Sequence, residues 1–247
     1  MPSSSPRVAG ANENARQIVQ LCYREMEASG FDNRKGTTLW RRTNIKYDVL
    51  KFDVIPGARC RKWRVPAGSF SLDPSCLFPF LPRIGSLPSA DVYRPEKGYG
   101  QIRLSVHRGM RQPSVKSPNI WWAGDDAKTV ELVLKDVLGT LHEKVLPFFG
   151  RFENIEELLR TFVQDEDAIG HQGVWDFGKM GSPNRLLYIA FAALECGEWD
   201  VAISNLLACR ERTLAIPAGV QVQAWILPYV DQGLACAEHR RPWSAPL

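Results

Sequence analysis

The sequence of residues 37–55 is TTLWRRTNIKYDVLKFDVI, and this stretch decides the fold class more than any other. A polar segment, residues 43–46, separates two runs that are rich in β-branched and aromatic residues. In the second run Leu50, Phe52 and Val54 alternate with polar residues, which is typical of a strand with one face on a core. The pattern predicts an antiparallel hairpin in which these three side chains are buried.

Outward from the hairpin, the pattern predicts one helix before it and more strands after it. A helix is predicted from Asn12, because apolar residues recur at helical spacing, and Gly30 predicts its end. Three further strands are predicted at residues 69–72, 100–107 and 119–122. Between the first two of them, the proline-rich residues 74–95 predict a loop. We therefore expect an N-terminal helix and an antiparallel sheet of about five strands.

After Gly124 the pattern becomes helical. Asp125 or Asp126 can cap a helix that runs to about Val145, where Pro147 predicts its end. Further helices are predicted at residues 155–164, 183–196, 200–213 and 220–237, and a loop or short turns at residues 164–181. The expected class is α+β, with an α+β domain over residues 12–146 and an α-helical extension over residues 147–247 packed on it. One continuous domain is the alternative.

Composition excludes several protein classes. Of the 247 residues, 45% are hydrophobic and 23% are charged, as in an ordinary globular protein and unlike collagenous or disordered chains. The longest apolar run, Leu186–Leu194, is too short to span a membrane, and the first residues contain no apolar segment typical of a secretory signal. The six cysteines form no CxxC pair. We predict free thiols, a cytoplasmic location and no membrane association.

Charge is unevenly distributed along the chain, although its net value is only +4. Residues 1–124 contain 20 Lys and Arg against 9 Asp and Glu, whereas residues 125–247 contain 11 against 18. Charged patches of this kind raise association rates and select partners. The asymmetry indicates a protein that works by binding.

Two charged sets are the candidate partner-binding residues. Ten Lys and Arg and two acids lie within residues 34–64, and the dense part of this basic region is Arg59, Arg61, Lys62 and Arg64. Basic side chains interleaved with aromatic ones can bind nucleic acid, and a solvated basic sheet face is the alternative. The acidic candidates are Glu156, Glu157, Asp165 and Glu166, which would bind a basic protein surface. A solvated helix face is the ordinary interpretation of such a run.

Sequence motifs of catalysis and cofactor binding are missing. The chain has no Gly-x-x-x-x-Gly-Lys-Ser/Thr loop, no Gly-x-Gly-x-x-Gly, no Gly-x-Ser-x-Gly and no His-Glu-x-x-His. We predict no catalytic residue, no cofactor and no metal ion. His171, flanked by Gly170 and Gly173 and near two aspartates, is the first candidate for a general base if the protein is an uncharacterised enzyme.

About residues 15–145 resemble the bacterial domain of unknown function 4304 family. The resemblance rests on Gly30-Phe31 and Leu39-Trp40-Arg41, then on the strand Val49–Ile55, and later on Ile102-Arg103-Leu104 and Ile120-Trp121-Trp122. It implies an α+β fold without established catalytic residues. Residues 183–213 are similar to a single helical hairpin of a tetratricopeptide repeat, and one unit forms no peptide-binding array.

From these observations we expect a non-enzymatic bacterial protein that binds another protein. An immunity protein or inhibitor that neutralises a toxin is the specific role predicted. A nucleic-acid-binding protein that uses residues 34–64, or an uncharacterised enzyme, is the alternative.

Overall fold

The fold is given by a computed structural model, which describes residues 10–83, 94–97, 100–217 and 221–243. The helices are α1 Ala11–Ala28, α2 Gly57–Trp63, α3 Ala127–Thr140, α4 Leu146–Arg151, α5 Ile155–Val163, α6 Glu166–Gly170, α7 Pro183–Cys196, α8 Trp199–Leu214 and α9 Val222–Glu238. The strands are β1 Asn33–Lys35, β2 Thr38–Arg42, β3 Tyr47–Val54, β4 Ser69–Leu77, β5 Ile102–Leu104, β6 Ile120–Trp122 and β7 Val174–Trp175.

The strands of the described residues form one sheet in which every pair is antiparallel. Their order is β1-β2-β3-β4-β5-β7, and β6 pairs with β4 on the same edge as β5. The predicted α+β class is confirmed, with a helix before the sheet and helices after it. The described residues contain seven strands instead of about five, because β1 and β7 have three and two residues and are too short to show a period-two pattern.

The hairpin of β2 and β3 forms as predicted. Leu50 and Phe52 are fully buried, whereas Val54 is only half-buried. Val49 on the opposite face is also buried, because a 3₁₀ turn at Pro95–Lys97 packs over β2 and β3. Both faces of the hairpin are therefore buried near its middle. The alternation of apolar and polar residues predicted burial of only one face.

β4 includes the first residues of the segment predicted to be a loop. Its residues 70–77 pair with β3, and Pro74 lies opposite Leu50. On the other edge of β4, residues 69–71 pair with β6 and residues 75–76 pair with β5. Pro74 falls in the gap between these partners, so its missing N–H breaks no ladder there. The predicted loop was wrong for the part within β4, and its residues 84–93 lie outside the described residues.

The helix after Gly124 begins at the predicted cap and does not end where predicted. The Asp126 carboxylate accepts a hydrogen bond of 2.9 Å from the backbone N–H of Thr129. The helix then passes through a π-helical turn at Leu141–Val145 and Pro147 into α4. A proline ring collides with the carbonyl four residues earlier in a regular α-helix, and the wider π turn relieves this clash. The predicted stop at Pro147 was therefore wrong.

The C-terminal helices follow the predicted order. α7 and α8 form the expected hairpin, in which the Ser182 side chain caps α7 and Gly197 ends it with a positive φ of 75°. α5 and α9 lie close to their predicted bounds, and residue 220 of the predicted last helix is outside the described part. Residues 164–181 contain α6 and β7 as well as the predicted turns, because β7 is held by pairing with β5.

The main hydrophobic cluster contains side chains from both predicted domains, among them Ile18 of α1, Phe52 of β3, Val137 of α3 and Phe191 of α7. The division into two domains stays a prediction. Trp121 is fully buried in this cluster, and its ring N–H donates a 2.7 Å hydrogen bond to the Asp136 carboxylate.

The six cysteines are unpaired, as predicted. Burial raises the pKa of the Cys22 thiol to about 12 and that of Cys209 to about 11. No helix in the described parts of the chain is long and apolar enough to cross a membrane.

Candidate functional site

The basic candidates lie on and just after the short helix α2. Arg59 donates hydrogen bonds of 2.7 and 3.0 Å to the two carboxylate oxygens of Asp53, so its charge is partly neutralised within the protein. Arg61, Lys62 and Arg64 are exposed. The structure thus places these three side chains on the surface and gives Arg59 a structural role.

The acidic candidates are divided between two ends of α5. Glu156 and Glu157 lie in its first turn, whereas Asp165 and Glu166 follow its last residue. At about 1.5 Å per residue, the part of α5 from Glu157 to Val163 alone places about 9 Å between the two pairs. The four residues therefore do not form one compact patch.

Two of these acidic residues have intramolecular partners. Glu157 lies within 3.4 Å of Arg151 and also contacts Arg160. Glu166 accepts a 2.5 Å hydrogen bond from the backbone N–H of Met180, and it lies 3.7 Å from the Arg185 guanidinium. Glu156 and Asp165 are exposed. Two of the four predicted acidic residues, Glu157 and Glu166, thus form ion pairs within the chain.

A buried ion pair at the start of β3 was not predicted from the sequence. The side chains of Lys46 and Asp48 are fully buried and in contact with each other. Arg41 donates a 2.8 Å hydrogen bond to the same carboxylate, and the Lys46 ammonium donates a 2.9 Å bond to the Phe149 carbonyl. The cluster joins the hairpin to α4 and is enclosed, so it serves the fold.

A cleft of about 740 Å³ lies between the sheet edge at β5 and β7 and the helix at its π turn and α4. We call it the edge cleft and define it by its polar residues His107, Lys144, Arg151, His171 and Gln172. Its floor is apolar, with buried side chains of β5, α4 and β7: Leu104, Phe148 and Val174. The size is within the range of ordinary ligand sites, about 300–1,000 Å³.

Side-chain hydrogen bonds of Lys144 and Arg151 tie the walls of the edge cleft together. The Lys144 ammonium, on the π turn, donates to the backbone carbonyl of His107 at 3.3 Å. Arg151 of α4 donates to the Gln172 side-chain carbonyl across the other end and to the Thr161 hydroxyl at 3.2 Å. The π turn therefore places Lys144 on the wall of the edge cleft.

The wall formed by residues 170–175 depends on backbone geometry. The Ser105 N–H donates a 2.7 Å hydrogen bond to the Gly173 carbonyl, and Gly173 has a φ of 70°. Arg185 holds the preceding segment, because its buried guanidinium donates to the Phe162 carbonyl at 2.8 Å and to that of Gln164. This wall is thus held at Gly173, and the segment before it is held at residues 162 and 164.

The edge cleft is positively charged, although most of its residues come from the acidic half of the chain, residues 125–247. No Asp or Glu is among the described residues that line it. Lys144 is exposed, and the acidic partner of Arg151 among the described residues is Glu157, whose carboxylate Arg160 shares. At the rim, Trp175 is 43% exposed, and the Arg103 guanidinium carbon lies 5.3 Å from its ring centroid. The cleft combines positive charge with apolar surface.

His171 lies in the edge cleft as an exposed side chain, and His107 lines the same cleft. The general-base role of His171 stays a prediction. The sequence reasoning did not single out Lys144, Arg151 or Trp175, because they come from separate elements and no local spacing joins them. In the described part of the chain, no group of three or more His, Cys, Asp and Glu is placed to hold a metal ion.

Comparison of the chain with models of protein families, with curated proteins and with solved structures finds no match. The resemblance to the domain of unknown function 4304 family therefore stays a prediction. Any functional conclusion rests on the geometry of the residues themselves.

Proposed function

We propose that the protein acts by binding another protein, and that this partner places an acidic segment with an apolar side chain in the edge cleft. The observation that carries the proposal is the combination of Lys144 and Arg151 with an apolar floor, where the described lining residues include no carboxylate. A carboxylate of the partner would contact the lysine ammonium, and its apolar neighbour would displace water from Phe148.

Trp175 supports a protein partner in particular. It is 43% exposed beside the cleft, and tryptophan and arginine are the side chains that most often dominate the energy of protein interfaces. Arg103 packs on its ring, with 5.3 Å between the guanidinium carbon and the ring centroid, which restricts the indole before a partner arrives.

The acidic surface predicted from the sequence is less suited to this role. Glu157 and Glu166 each contact an arginine of the same chain, so binding a basic partner there would have to compete with existing ion pairs. Toxin neutralisation is the specific role that we keep as a prediction. The edge cleft gives it a surface that can be tested.

Nucleic-acid binding through α2 is the second candidate function. Trp63 is 44% exposed, and Arg61, Lys62 and Arg64 beside it are exposed as well. An exposed ring among cations can stack on a base while the cations neutralise phosphates. This candidate requires a steep dependence of binding on salt.

The test is capture of partners from cells of the source organism, with protein and nucleic acid both quantified. Capture is done at about 0.15 M and about 0.5 M salt, where the Debye length falls from about 8 Å to less than about 5 Å. The wild type is compared with Lys144→Glu and Trp175→Ala, and Lys128→Glu, an exposed residue in the first turn of α3, is the matched control.

We expect a stoichiometric protein that the wild type and Lys128→Glu capture equally, and that both cleft variants capture at least about tenfold less, a loss of about 1.4 kcal/mol. Equal capture by Lys144→Glu and Trp175→Ala, with intact folding, would show that the edge cleft is not the binding surface. Nucleic acid captured only at the lower salt would instead favour α2.

A further inference from the structure

A second, smaller cavity of about 240 Å³ lies on another side of the molecule, where the turn between β2 and β3 meets the segment after β4 and the end of α7. We call it the Glu195 pocket. Its aromatic lining residues are Tyr47, Phe80 and Trp243, and its carboxylate is Glu195. It shares no described lining residue with the edge cleft, so it is independent of the function proposed above.

The Glu195 side chain is half-buried, and one of its two carboxylate oxygens has no hydrogen-bond partner among the described residues. Its Oε1 atom is buried and accepts no hydrogen bond from any described residue. None of the ion pairs formed by the described lysines and arginines includes it. Burial raises the pKa of this carboxyl to about 7, while a hydrogen bond from the backbone N–H of Trp243 lowers it. A buried polar atom without a partner needs an explanation, and a ligand is one.

The aromatic walls of the Glu195 pocket are held in place by their neighbours. Trp243 packs edge-on against Phe191, with ring centroids 5.1 Å apart, and Phe80 packs edge-on against Phe78 at 5.8 Å. The faces of aromatic rings carry partial negative charge and attract cations, especially where water is excluded. A carboxylate surrounded by such rings is complementary to a positive, partly apolar group.

Two cations, Lys46 and Arg42, are among the lining residues of the Glu195 pocket, and neither donates to the Oε1 atom of Glu195. The Lys46 ammonium is bonded to Asp48 and to the Phe149 carbonyl. Arg42 is exposed, and its guanidinium carbon lies 5.8 Å from the Tyr47 ring centroid. Arg42 therefore already uses the Tyr47 ring as a cation site, while Glu195 inside the pocket stays without an ion pair among the described residues.

We propose that the Glu195 pocket binds a small organic ammonium ion, with the Glu195 carboxylate as its counter-ion and the rings of Tyr47, Phe80 and Trp243 around its alkyl groups. The pocket volume of about 240 Å³ has room for a compact ion with a few carbon atoms. Binding would give the unpartnered Oε1 atom of Glu195 a partner of opposite charge. Because a cation favours the ionised carboxylate, affinity should rise with pH as Glu195 loses its proton.

The test uses tert-butylammonium as the probe and tert-butanol as its neutral counterpart of the same shape. Binding is measured by saturation-transfer NMR and by titration of the Trp243 indole resonance, at pH 6 and pH 8. Glu195→Gln keeps the shape of the side chain and removes its charge. Glu211→Gln, an exposed residue on α8, is the matched control because it changes the net charge equally.

We expect the wild type and Glu211→Gln to bind the ammonium ion more tightly at pH 8 than at pH 6, and not to bind the alcohol. Glu195→Gln should bind it at least about tenfold more weakly and without pH dependence. Phe80→Leu should weaken binding severalfold, because leucine fills space but has no ring face.

The proposal is overturned if tert-butanol binds as well as the ammonium ion, or if Glu195→Gln binds as tightly as the wild type. It is also overturned if the wild type shows no binding tighter than about 10 mM. The comparison of the two probes on the wild type needs no variant, so the test does not depend on the folding of Glu195→Gln.

Discussion

Replacing Asp48 by asparagine should destabilise the protein by about 3–5 kcal/mol, because it leaves the Lys46 ammonium buried without a counter-ion. Both side chains have an exposure of 0%, so water cannot replace the lost carboxylate charge. Asparagine keeps the size of the side chain and one carbonyl acceptor, and therefore changes mainly the charge. The Arg41 guanidinium, whose side chain is 26% exposed, can turn toward water and loses less.

A second substitution separates the buried charge from the packing. Lys46→Met removes the ammonium and keeps a flexible apolar side chain of similar length. The double variant Lys46→Met with Asp48→Asn should therefore be more stable than Asp48→Asn alone, because no isolated charge stays buried. Urea unfolding at pH 7, followed by circular dichroism, gives the free energy of unfolding for each of the four proteins in this cycle.

Two results would refute this reasoning. A loss of less than about 1 kcal/mol in Asp48→Asn would mean that water or a rearranged side chain reaches the Lys46 ammonium. A double variant whose loss equals the sum of the single losses would mean that the two residues act independently, in spite of their contact.

Two other predictions concern stability. Glu195→Gln should stabilise the protein by about 1–2 kcal/mol at pH 8. The raised pKa of Glu195 corresponds to about 3 kcal/mol, and we halve this value because the side chain is partly exposed to solvent. Since folding raises the pKa of this carboxyl from 4.5 to about 7, the wild type loses stability as the pH rises through that window, and the advantage of the variant should vanish at pH 4. An advantage that is equal at both pH values in thermal melts would contradict this. Gly68→Ala should cost more than about 2 kcal/mol, because φ is 80° and a Cβ atom would lie 2.3 Å from the Ala11 carbonyl oxygen. Gly36→Ala, with a φ of 59° and no atom within 4 Å, is the control and should cost about 1 kcal/mol in urea unfolding; equal losses would show that the contact with α1 does not matter.

Much of the fold could be predicted because its signals are local. The alternation of Leu50 and Phe52 predicted a strand, and the Asp126 cap and the apolar spacing after it predicted the start of a long helix. Each of these patterns depends on residues within a few positions of one another, which is the range over which helices and strands impose their periods. The α+β class follows from their order along the chain.

Tertiary contacts override the local pattern in three places. Pro147 ends a helix only when the preceding turn is α-helical, and the π turn removes that condition. β7 has no pattern of its own and exists because it pairs with β5. Pro74 is tolerated inside β4 because the neighbouring strands leave a gap beside it.

The sequence by itself determined most of the helices and strands, the fold class and the uneven distribution of charge. Only the tertiary structure decided which charges act together. It gave Glu157 and Glu166 arginine partners within the chain, and it brought Lys144 and Trp175 to one cleft. The reason is physical: secondary structure depends on neighbours along the chain, whereas a site depends on distances through space, and packing on a common core sets those distances.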